Sequence, residues 1–158
     1  MSERLATYLN DHLAGARFAI ELLERLRDTH ADEPLGRFAG ELLINVDEDR
    51  AVLQEIADQV GGGGNSLKEA IAWLAEKASR LKLRLGADAE LGVFEALEAL
   101  SLGVLGKLAL WRALAVIAAT DGHLRGVDLD QLAARAEAQH AQVEAYRLEA
   151  ARIALRAT

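Results

Sequence analysis

The stretch from Leu91 to Ala119, LGVFEALEALSLGVLGKLALWRALAVIAA, decides what this chain can fold into. At 100° per residue it carries two apolar stripes, not one. The first runs Val93, Leu97, Leu100, Val104, Leu108, Trp111, Ala115 and Ala118; the second runs Leu91, Phe94, Leu102, Leu105, Ala109 and Val116. A helix apolar on most of its circumference has to be covered on most sides, so the rest of the chain is expected to supply that cover. A bilayer is the wrong cover. Lys107 and Arg112 stand near the middle of the stretch, and a charge at that depth costs at least about 2.5 kcal/mol. Gly103 and Gly106 weaken the helix locally but admit a close neighbour.

The remaining segments read as helices able to provide that cover. A single Pro and few β-branched residues favour helices over strands. The first helix has the seam Leu5, Leu9, His12, Ala16, Ala19, Ile20, Leu23 and Leu26, and stops near His30. Pro34 suits the first position of a second helix, which runs to about Val60 along Leu35, Phe38, Leu42, Val46, Asp49, Leu53, Ile56 and Val60. The glycine run at 61–64 is read as a helix stop and tight reversal, and Ser66 with Glu69 as a capping box opening a third, amphipathic helix. GADAE at 86–90 precedes the central stretch. Asp128 is the expected N-cap of a last helix with the seam Leu129, Leu132, Ala136, His140, Val143, Arg147, Ala150 and Ala154.

This gives one all-α domain over residues 1–158, of a size that can hold one core. Short turns make helices one and two, and the central and last helices, two antiparallel hairpins. A connection of about 28 residues, carrying the fifth helix, is long enough to travel the length of the bundle at 1.5 Å per residue. The net charge of −7, with Lys and Arg scattered, points away from nucleic acid and anionic membranes as partners. The absence of Cys removes disulfides, thiol catalysis and Cys-based zinc sites. The polar start MSERLATYLND lacks the apolar core of a signal peptide, so the cytoplasm is the expected location. Trp73 and Trp111 are read as packing or interface residues, and with the strongly apolar helices they suggest a homodimer. Lys68, Lys77, Arg80, Lys82 and Arg84 are read as a solvated face. No recognisable Ser-His-Asp set or phosphate loop occurs, so no catalytic residue is assigned.

The informative residues interrupt the seams. His12, Asp49, His140 and Arg147 each occupy an apolar position, and Glu98 sits in the second stripe of the central helix. A charge left unpaired among alkyl chains is too costly to persist, so these five are expected to form a buried polar network. Counting turns from the end that holds the first reversal places His12, Asp49 and His140 in one layer, and Arg147 with Glu98 in another; Arg147 is also open to Asp49.

Topology and polar centre together resemble the ferritin-like superfamily, whose di-iron members carry a carboxylate on each of two helices and Glu-x-x-His on each of the other two. Glu137-Ala138-Gln139-His140 has the Glu-x-x-His spacing, and Glu98, with Glu95 second, matches a lone carboxylate. The second helix has no His, although Asp49 stands where a carboxylate ligand would. The ligand set is therefore incomplete. Two readings follow from the resemblance. In the first, the chain is a non-catalytic ferritin-like bundle without a cofactor, its di-iron site replaced by the polar network. In the second, His12, Asp49, Glu98 and His140 form a reduced site for Fe, Mn or Zn.

Overall fold

The computed structural model describes residues 2–61 and 64–157, with side chains described except at 2, 64–70 and 82–85. Among the described residues the fold is all-helical: α1 (Ser2–Thr29), α2 (Pro34–Val60), α3 (Gly64–Ala87), α4 (Ala89–Ile117) and α5 (Leu129–Ala154), with one 3-10 turn at Gly122–Leu124.

Local chemistry sets the ends. Pro34 opens α2, where its missing N–H costs nothing. Gly61, at φ 70°, ends α2 in a conformation that a side chain would strain. Asp88 accepts a hydrogen bond from the Leu91 N–H at 3.1 Å, and Asp128 one from the Gln131 N–H at 3.0 Å, capping α4 and α5. The α1–α2 corner is tighter than its sequence suggests. A Cβ on Gly36 would fall 1.9 Å from the His30 carbonyl oxygen, so only glycine fits there. The backbone of α3 begins at Gly64, so Ser66 lies inside the helix and not at its N-cap. The Ser66–Glu69 side-chain contact itself falls outside the described residues.

Two apolar clusters fill the interior. One gathers the early part of α1 and the start of α5 with the late parts of α2 and α4, through Leu9, Ile56, Leu110, Trp111 and Leu129. The other gathers the late parts of α1 and α5 with the early parts of α2 and α4, through Leu23, Leu42, Leu97 and Val143. Each cluster joins opposite ends of the two pairs, so α1 runs with α5 and α2 with α4. α1 packs most heavily on α2, and α4 on α5; α1 also touches α4, and α2 lies beside α5. α2 and α4 thus face each other diagonally. α3 crosses between the pairs along the outside, against α1 and α4.

The expectation that α4 is covered on most sides holds on three of them, against α5, α1 and α3, and fails on the fourth. Its first stripe is buried from Leu97 through Trp111, but its second, half-buried at Leu91 and Phe94, is open from Leu102 onward: Leu102 is 64% exposed and Val116 83% exposed. The reason is geometric. α5 takes one side of α4, α1 and α3 take two more, and none of the described helices reaches the fourth.

Candidate functional site

Among the described residues, two clusters of polar side chains enter the interior. The deeper is centred on Asp49 of α2, which is 2% exposed. The Lys107 ammonium reaches across the diagonal from α4 and donates to Asp49 Oδ2 at 2.6 Å. Gln139 of α5 closes the triangle: its Nε2 donates to Asp49 Oδ2 at 3.2 Å, while its Oε1 accepts from Lys107. Arg135, one turn earlier on α5, brings Nε within 3.4 Å of Asp49 Oδ1. Its Nη2 donates to Glu48 at 2.6 Å and to the Asn45 carbonyl at 3.1 Å. Two carboxylates therefore meet two cations, so the group is balanced in charge. Burial pushes the Lys107 ammonium below its usual value, and Arg135 pushes the same way, while Asp49 pulls it back.

The second cluster lies at the α4–α5 contact, nearer water. Arg147 donates to Glu144 through Nε at 2.6 Å and Nη2 at 2.9 Å, and through Nη1 to Glu98 at 3.3 Å. Ser101 Oγ stands 2.7 Å from Glu144 Oε1 and 3.1 Å from His140 Nε2. The Arg147 and Ser101 hydrogen bonds hold the Glu144 carboxyl at about 2, below the usual 4.5. It is thus ionised and only accepts. The single Ser101 proton goes to Glu144, so His140 Nε2 must carry a proton and donate to Ser101. His140 is then a donor and not a base aimed at the hydroxyl, and Ser101 is not set up as a nucleophile.

The five residues singled out from the sequence fall in three places. Asp49 is in the deep cluster. Glu98, His140 and Arg147 share the second, with Glu98 49% exposed at its edge. His12 is in neither: its ring lies edge-on to Tyr8 at 4.7 Å between centroids, and burial lowers its pKa against the opposing pull of Asp11. No contact links His12, Asp49 and His140: Asp49 Oδ2 is taken by Lys107 and Gln139, while the buried Oδ1 has only the Arg135 ion pair and accepts no hydrogen bond among the described residues. Among the described residues no group of three or more His, Asp or Glu side chains converges as a metal site would. Glu137, the first residue of the Glu-x-x-His spacing, turns outward to Arg112 at 2.5 Å.

Sequence reasoning missed Lys107, Arg135, Gln139, Ser101 and Glu144. One signal was present for Lys107: a cation in the middle of an apolar helix requires an anion, and Asp49 is the anion on a facing seam. A concavity of about 60 Å³ lies between α1 and α3, lined by Arg17, Phe18, Glu21 and Leu74 among others, apart from both clusters. Small-molecule pockets usually reach about 300 Å³ or more. In comparisons with known proteins, the chain matches no family model, no curated protein and no solved structure.

Proposed function

We propose that this chain is a non-catalytic ferritin-like bundle that acts through its surface, with an ion-pair network standing where metal-binding members of that superfamily place their centre. The topology supports the first part of this reading: two hairpins, with a crossover helix running between opposite ends. The observation that carries the second part is the Lys107 ammonium, 2.6 Å from Asp49 Oδ2. A metal bound by Asp49 would have to displace a side chain of like charge already hydrogen-bonded there. The protons around Ser101 add to this reading: His140 donates to the hydroxyl, and Glu144, which accepts its proton, is a weak base held at about 2.

Elemental analysis of the full chain, purified without chelator, tests the proposal. The expected result is less than a tenth of an equivalent of iron, manganese or zinc. One equivalent or more, lost in His140→Ala or Asp49→Asn, would replace this reading with the reduced metal site.

A further inference from the structure

The open face of α4 repeats the three-and-four spacing of its buried side, with no described helix against it. Glu98, Leu102, Leu105, Ala109, Arg112 and Val116 follow one another at intervals of four, three, four, three and four residues, and all six are exposed. That is the seam of a helix packed against another helix. Between them lie Gly103 and Gly106, where an added Cβ would meet nothing within 4 Å. The face therefore offers leucine knobs beside small-residue hollows that a partner backbone can approach.

The charges say which partner. The face carries an acid, Glu98, at one end and a base, Arg112, at the other, each seven residues from Leu105. A second copy laid antiparallel across Leu105 sets each Glu98 against the partner's Arg112, and each Leu102 beside the partner's Ala109. A parallel copy would set like charges together. Both charged groups have capacity to spare. Arg112 bonds Glu137 through one of its nitrogens, and Glu98 accepts from Arg147 through one oxygen. We infer that α4 is a two-fold interface, at which a second copy of this chain packs antiparallel about an axis near Leu105.

A bilayer suits the face less well, although α4 is long and apolar enough to cross one. Its opposite side is buried in the bundle, Lys107 is held by Asp49, and the chain's net charge of −7 opposes an anionic surface. The inference shares Glu98 with the Arg147 cluster, so Leu105→Glu, which touches neither polar cluster, tests it separately from the proposed function.

Light scattering of the full chain is expected to give twice 17.0 kDa. Leu105→Glu is expected to give a monomer that keeps its helical content, since Leu105 faces water in the single chain. Glu98→Arg and Arg112→Glu are each expected to weaken self-association by tenfold or more, and the double variant to restore it. The chain has no Cys, so single cysteines report the geometry. Leu105→Cys, on the axis, should form a disulfide-linked pair. Val116→Cys lies about 16 Å from the axis at 1.5 Å per residue and should not. A wild-type mass of 17.0 kDa at tens of micromolar, a dimer unaffected by Leu105→Glu, or Val116→Cys linking better than Leu105→Cys would overturn the inference. So would co-sedimentation of a monomeric wild type with phosphatidylcholine vesicles that Leu105→Glu abolishes, which would assign the face to lipid.

Discussion

The two polar clusters are made from the same kinds of residue, yet they are attached to the fold differently. The Asp49 cluster joins α2 to α4 and α5, which are elements of different hairpins, and its acid is almost fully enclosed. The Arg147 cluster joins α4 to α5, already neighbours along the chain, and its charged members reach water although Ser101 is buried. Burial and position, not residue type, set what each is worth. An enclosed pair is expensive to break, because the survivor is left charged among alkyl chains. A half-exposed pair is cheap to break, because water replaces the lost partner.

Removing one ion tests this contrast most strongly. Asp49→Ala should lower the unfolding free energy by about 3–5 kcal/mol in urea titrations, since it strands Lys107. Asp49→Leu combined with Lys107→Met should recover at least half of that loss. A loss below about 1 kcal/mol in Asp49→Ala would put the deep cluster in the same class as the surface one.

Glu144→Gln should cost only about 1 kcal/mol at neutral pH. Its clearer signature is in acid. The folded-state value of about 2 lies below the usual 4.5, so Glu144 stabilises the fold above pH 4.5 and loses that contribution as pH falls towards 2. In Glu144→Gln the slope of melting temperature against pH should flatten over that window.

The deep cluster responds at the other end of the scale. Lys107 is pushed below its usual 10.5 by burial, so its charged form is disfavoured in the fold. Its contribution is at its most favourable above 10.5 and is lost as pH falls through the folded-state value. Relative to Lys107→Met, the wild type should therefore gain stability as pH rises towards 10.5. A falling difference would mean that Asp49 outweighs burial.

The smallest effect concerns His12, which belongs to neither cluster. In a double-mutant cycle, His12→Ala and Asp49→Ala should add within about 0.5 kcal/mol. Coupling well above that would restore the His12–Asp49 layer. Alone, burial of His12 predicts a modest loss of stability as pH drops below 6.5, absent in the variant.

The all-helical class and the helix ends were legible because caps and breakers act locally: Pro34, Gly61 and Asp128 each do what their chemistry requires. Asp49 was legible as a seam position between Val46 and Leu53. Its partners were not. α4 is apolar nearly all round, so periodicity does not show which side faces inward, and Lys107 reads as an objection to a membrane before it reads as a counter-ion. Counting turns gives depth along a rod but not rotation about it. His12, counted to a depth like that of Asp49, has the ring of Tyr8 on its own helix as its neighbour.

The Asp49–Lys107 contact also bears on how the two hairpins come together. Each hairpin can zip up from its own short turn, but docking them must strip water from two opposite ions in the same step. A pairing of α2 and α4 slipped lengthwise by one turn, about 5.4 Å, would part Lys107 from Asp49. The contact thus works as a dowel between sliding rods, rejecting misaligned assemblies that leucine and alanine alone would tolerate.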